Sequence, residues 1–232
     1  MISRRHILAG ASALTAMHPL TTMGAVRCLQ NTSWAIRTCE ASLDLGRVET
    51  VRQRCKSWCW AACIQTVFAV RGFPVQQEDA VIRLFGNDKC QGEGATLSQI
   101  ISTISGTWTT TDGRRFRAAA RELPLASLAI QISEGDPNAR QPGYIEKQWK
   151  TTGDARELVE GVGRGQPLIN LAVGHATVLE TVTYQRNELF QFGPIALTKV
   201  IVRDPWPDSP NRRELTAREV RGTFHVIAVE VS

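Results

Sequence analysis

The residues best suited to covalent chemistry lie in the run Gln53-Arg54-Cys55-Lys56-Ser57-Trp58-Cys59-Trp60-Ala61-Ala62. A thiol at the start of a buried helix meets backbone N–H groups that have no partner within the helix, and the helix dipole there favours negative charge. Such surroundings favour the thiolate, the nucleophilic form of cysteine. Cys59 is therefore the expected nucleophile. Gln53 lies upstream in a Gln-x5-Cys pattern. Its side-chain amide is expected to aim at the point faced by the Cys59 N–H, the two donors forming an oxyanion hole for a tetrahedral intermediate. A small core cysteine is the plainer alternative, but the Gln-x5-Cys-Trp-Ala pattern weighs against it.

A cysteine nucleophile needs a base, and imidazole is the usual one near neutral pH. Beyond the first 25 residues only His175 and His225 remain. His175 stands in Gly174-His175-Ala176, where small neighbours leave room for a thiol, and it opens the apolar run Thr177-Val178-Leu179. It is the expected base. His225, within Phe224-His225-Val226, is expected to pack. The third element is Val202-Arg203-Asp204-Pro205-Trp206-Pro207. A carboxylate at a strand end can accept from the second imidazole nitrogen, fix the tautomer and stabilise the imidazolium. Asp204 is given that role, with Trp206 covering the bond against water. Taken alone, Asp-Pro would read as a turn.

Together, Gln53, Trp-Cys-Trp-Ala-Ala, Gly-His-Ala before apolar residues, and Asp-Pro-Trp resemble the papain-like cysteine peptidases. They are most similar to the bacterial branch that includes plant-pathogen effector proteases and staphylococcal secreted thiol proteases. The resemblance runs through the chain in the order Gln, Cys, His, Asp, and about twenty-five positions carry it. It implies a two-lobed fold, the cysteine helix in one lobe, a β-rich lobe supplying the histidine, and a cleft between them. It also implies a peptidase acting on a protein or peptide substrate, without cofactor or metal. Three features depart from the plant and lysosomal enzymes. Asp204 stands where they have Asn, Ser57-Trp58 precedes the nucleophile in place of a Gly-Ser or Gly-Ala pair, and too few residues precede Gln53 for a long inhibitory propeptide.

Other readings of the same residues remain open. A papain-like triad also supports deamidation, acyl transfer and peptidoglycan amide cleavage, all through a thioacyl enzyme, and fold and triad do not choose among them. A papain-like module that binds without catalysis is a second reading. Cys55, Cys59 and Cys63, recurring every fourth residue, would be a third if they held a metal. Zinc sites usually draw on a turn plus a second element, and Trp58 and Trp60 would crowd this one.

The elements that must position these residues follow from periodicity. Residues 57–71 leave almost no polar face and predict a helix buried on all sides, stopped by Gly72 with Pro74 following. Helices are also expected over 77–85, over 96–104 with Thr96 as cap, and over 154–162. Asp112-Gly113 between Trp108 and Phe116 predicts a hairpin turn. Residues 133–150 read as a long loop. The runs 167–173, 175–184, 195–203 and 223–231, rich in Val, Ile, Leu and Thr, read as strands. Residues 26–50 are expected to be extended. The fold class is α+β. The expected organisation is an export signal over 1–25 and a catalytic domain over 26–232, with a helical lobe at about 53–105 and a β-rich lobe at about 165–232.

Ser3-Arg4-Arg5-His6-Ile7-Leu8 puts two arginines before a moderately apolar stretch. It resembles a twin-arginine export signal, with cleavage expected near Ala25 and a periplasmic or secreted destination. The formal charge of +5 comes from 27 Lys+Arg against 22 Asp+Glu. Setting aside Arg4 and Arg5 leaves 25 against 22, or +3, too mild to argue for nucleic acid. The clusters Arg114, Arg115, Arg117, Arg121 and Arg212, Arg213, Arg218, Arg221 read as solvated faces. No apolar run reaches the roughly twenty residues of a membrane span, so no stable membrane association is expected. Of six cysteines, five remain if Cys59 is free. An oxidising compartment would then allow at most two bridges and one spare thiol. Spacing does not establish the pairing; Cys28–Cys39 and Cys55–Cys90 are the expected pairs.

Overall fold

The computed structural model describes residues 24–29, 35–45, 48, 51–90, 94–125, 129–133, 148–190, 193–221 and 225–232. Its elements in chain order are β1 (Gly24–Cys28), β2 (Ile36–Leu43), α1 (Cys59–Val70), α2 (Gln77–Phe85), α3 (Leu97–Ile104), β3 (Gly106–Thr109), β4 (Arg115–Glu122), β5 (Ala129–Ser133), β6 (Gln148–Thr152), α4 (Arg156–Gly163), β7 (Leu168–Ala172), β8 (His175–Asn187), β9 (Ala196–Arg203), β10 (Arg212–Glu214), α5 (Ala217–Arg221) and β11 (His225–Val231). The class is α+β: among the described residues there are five helices and an open, nine-stranded antiparallel sheet, with β5 and β6 forming a separate pair.

Strand β8 organises the sheet. Its residues 175–178 pair with β7 and its residues 181–187 with β2, while β9 runs along its other edge. Beyond β7 the order continues through β11 and β4 to β3. The central strands are apolar at nearly every position because both faces are covered, as strand alternation requires in that case. Leu168, Leu179, Val226 and Ala228 point into one core with β2, β9 and α4. Ile169, Val178, Ile227 and Val229 point the other way, into a core with α1, α2 and α3. Helix α1 is the centre of that second core: Trp60, Ile64, Val67 and Phe68 are each at most 1% exposed. Phe68 meets Trp108 and Phe116 edge-on, so Phe68→Ala would cost roughly 3–5 kcal/mol.

Helix α1 ends as its sequence predicts. Gly72 takes a φ of 80°, its N–H bonds the Ala69 carbonyl, and the Phe73 N–H bonds that of Phe68. This is the paired closure of a left-handed glycine stop. Helix α2 spans the expected residues, and Thr96 caps α3 through a reciprocal bond with Gln99. The Asp112-Gly113 hairpin joins β3 to β4 with Trp108 opposite Phe116.

Four expectations need correction. The sheet is not confined to the C-terminal third, because β2, β3 and β4 supply its flanks. Residues 148–150, placed in a loop, pair with residues 131–133; 134–147 lie outside the described residues. Gly24 and Ala25, assigned to the leader, occupy the first rungs of β1 opposite Leu43 and Ser42, so a cut after Ala25 would remove part of the strand. The rest of that leader, residues 1–23, lies outside the described residues. His225 does not pack in the core: it sits half-exposed at the start of β11, with Nδ1 against Glu122.

Both expected bridges are present, Cys28–Cys39 across β1 and β2 and Cys55–Cys90 behind α1. Cys59 and Cys63 are free. With Cys55 bridged, the three evenly spaced cysteines do not offer three thiols to a metal. Among the described residues no helix is long and apolar enough to cross a membrane.

Candidate active site

The Cys59 side is built from the turn before α1. Trp58 occupies the N-cap position and provides no side-chain cap, and no acid lies in the first turn. The first N–H groups of α1, that of Cys59 included, therefore have neither a side-chain cap nor an acid of the first turn to offset their partial positive charge. Cys59 is partly exposed there, while Cys63, one turn on, is buried. Burial pushes the Cys63 thiol well up, and the negative charge of Cys59 and Asp204 adds to this. It stays a neutral core residue.

The His175 side starts at a hairpin turn. Between β7 and β8 only Val173 and Gly174 intervene, with φ of 52° and 74°. Two left-handed residues make the tight turn that matches strand twist. A β-branched residue rarely adopts this conformation, yet Val173 does so while 49% exposed. The turn makes His175 the first residue of β8, opposite Ala172, and so sets its ring at the sheet's end.

His175 Nε2 lies 2.8 Å from Asp204 Oδ1. Asp204 is 1% exposed and fully engaged. Its Oδ1 also accepts the Trp206 N–H at 2.8 Å, and its Oδ2 accepts Arg213 Nε at 2.6 Å. Burial by itself would raise the Asp204 pKa, but the bonds from His175, Trp206 and Arg213 bring it down to about 2. An ionised carboxylate only accepts, so Nε2 carries the proton and Nδ1 is left for Cys59. Burial likewise opposes a charged His175. The hydrogen bonds and negative charge of Asp204 and Cys59 overcome it, and the imidazole pKa is pushed up to about 9. Trp206 stands edge-on to the imidazole at 6.1 Å between ring centroids, where it shields the bond to Asp204.

A cleft of about 480 Å³ opens over these groups, with Cys59, His175, Asp204 and Trp206 in its wall beside Lys56 and Arg213. Three of the four residues singled out from the sequence thus meet in one place. Gln53 is placed differently. It is 5% exposed, does not line the cleft, and its Nε2 donates to the Cys55 and Lys56 carbonyls at 2.9 and 2.8 Å. Both amide hydrogens therefore brace the turn that presents Cys59.

Two arginines escaped sequence reasoning. Arg52 Nη1 donates to the carbonyls of Asp204, Trp206 and Ser209, and the Gln53 N–H bonds the Pro205 carbonyl. The two walls of the cleft are thereby tied together. Arg213 is not part of a solvated face: its side chain is 19% exposed and pairs with both Asp204 and Glu219. The signal for it was Thr216-x-x-Glu219, a capping-box spacing that marks the short helix α5 and the acid Arg213 meets. The remaining arginines of both clusters are exposed.

The chain matches no family model and no curated protein.

Proposed function

We propose that this chain is a papain-like cysteine hydrolase that cleaves peptide bonds through Cys59, His175 and Asp204. One observation carries the reading: a free, partly exposed cysteine, Cys59, shares one cleft wall with His175, whose imidazole is held by a buried carboxylate at 2.8 Å. His175 withdraws the proton of Cys59, and the thiolate–imidazolium pair so formed is balanced by Asp204. The thiolate attacks the amide carbonyl, forming a carbon–sulfur bond. The oxyanion rests on the N–H groups at the start of α1. His175 gives its proton to the leaving amine as the carbon–nitrogen bond breaks. Water, deprotonated by His175, then releases the acid and restores the thiol. Gln53 holds the turn from behind, and joins the oxyanion only by exchanging one of its two carbonyl partners for the substrate oxygen.

The resemblance to papain-like peptidases supplies the two-lobed view, with α1 in one lobe and the end of β8 in the other. Export to an oxidising compartment belongs to the same reading, supported by the Cys28–Cys39 and Cys55–Cys90 bridges. The test is to label the folded protein with iodoacetamide, without reducing its disulfides, and to map the modified cysteine. Rapid labelling of Cys59 that slows in His175→Ala supports the mechanism. A Cys59 that labels no faster than a free thiol, or equally fast without His175, sinks it.

A further inference from the structure

The triad ends in a second, less exposed ionic chain. Arg213 lies on β10 opposite Val202, which brings its guanidinium under the Asp204 side chain. Nε meets Asp204 Oδ2 at 2.6 Å. The other two nitrogens take Glu219 in a fork, Nη1 to Oε2 at 3.0 Å and Nη2 to Oε1 at 2.6 Å. Glu219 is in turn held by the N–H and hydroxyl of Thr216, each at 2.8 Å. A two-point fork leaves the guanidinium little freedom to rotate, so it holds Asp204 from the side opposite His175.

On the reading proposed above, this arrangement has a consequence. We propose that Arg213 is a positioning residue of the triad: shared between Asp204 and Glu219, it sets the orientation of the Asp204 carboxylate and offsets part of its charge at His175. Without a cation behind it, Asp204 would attract the imidazolium with its whole charge. With Arg213 clamped by Glu219, the attraction is moderated, and the base can give its proton to the leaving amine more readily. The groups that act on His175 are Asp204 from the segment after β9 and Cys59 from α1, with Lys56 from the turn before α1 in the same cleft wall. Arg213 from β10 and Glu219 from α5 act behind Asp204, and Arg52 binds only carbonyls on that segment.

The charge argument predicts opposite effects for the two partners, which a merely structural role does not. The experiment follows the His175 imidazole by NMR titration in folded protein carrying Cys59→Ala, which leaves a single titration at the site. The signal is assigned by its loss in His175→Ala. Arg213→Gln removes a like charge acting through Asp204 and raises the midpoint by about one pH unit, and Arg213→Lys restores part of the difference. Glu219→Gln, which keeps Arg213 and Asp204 in place, lowers the midpoint by a smaller amount. Unchanged midpoints, or shifts in the same direction for Arg213→Gln and Glu219→Gln, overturn the proposal. Should Arg213→Gln fail to fold, Glu219→Gln decides alone: a fall supports the proposal and no change overturns it. Failure of the triad itself is separate, since it would appear as Cys59 labelling that ignores His175.

Discussion

The two walls of the cleft are held by different physics. The wall before α1 is braced by neutral groups. Gln53 donates to two carbonyls, Gln77 grips the backbone of Arg52 and Arg54, and a bridge ties Cys55 to Cys90. The wall at the end of β8 is held by charge, in the series His175, Asp204, Arg213, Glu219. Hydrogen bonds to backbone carbonyls fix where a thiol sits without altering the charge around it. Ionic bonds fix position and proton affinity together. Substitutions on the first wall should therefore act at all pH values alike, and those on the second should reshape the pH profile.

The largest effects test whether the walls meet in one reaction. Cys59→Ala should abolish turnover of peptide amides and remove the iodoacetamide label. Cys63 should remain unlabelled in the folded protein because it is 1% exposed. Asp204→Asn should lower kcat by ~10³–10⁴-fold, by analogy with the loss of the orienting carboxylate in other triads. It should also move the alkaline limb of the pH–rate profile downward, since the imidazolium loses its main support. Gln53→Ala, on the neutral wall, loosens the turn that presents Cys59 and should cost up to ~100-fold in kcat by misplacing the thiol, with the limbs of the profile unmoved; a moved limb would blur the distinction between the walls.

Stability should divide in the same way. The His175 pKa lies at about 9, above its ordinary 6.5, so its contribution is complete below about 6.5 and lost as pH rises through about 9. The Asp204 pKa lies at about 2, below its ordinary 3.8, so its contribution is present above about 3.8 and lost as pH falls through about 2. Thermal melting across pH should show both slopes in the native protein, and Asp204→Asn should flatten both. The smallest effect concerns the hairpin. Val173→Asn, which relieves a left-handed β-branched residue with little buried surface to lose, should stabilise by about 1 kcal/mol. The melting point should rise by a few degrees at every pH, and a fall would mean that the exposed Val173 side chain packs against more than its burial indicates.

Much of the local architecture was legible. Helices α1, α2 and α3 declared themselves through apolar spacing, Gly72 and the Thr96 cap, and β7, β8, β9 and β11 through β-branched runs. Cys59, His175 and Asp204, which meet in one cleft, stood out because each carries a chemical type that few neighbours share. What was missed depends on contacts distant in sequence. β10 has only three residues and exists because β9 offers it an edge. Arg213 has the same composition around it as the exposed Arg212, and only the alternation of β10 turns one toward Asp204 and the other outward to Glu180. Gln53 stood out in the sequence, but the oxyanion role expected of it did not show where its amide goes, because the turn before Cys59 folds its carbonyls back onto that amide.

By itself the sequence determined which groups were available for chemistry and which segments would be helix or strand, since residue type and periodicity are properties of the chain alone. The tertiary structure decided how those groups are wired: that His175 leaves a two-residue turn facing Cys59, that Asp204 is closed off by Trp206 and Arg213, and that Gln53 looks inward. Hydrogen bonds and charge interactions act over a few ångströms, and only folding decides which distant residues come that close.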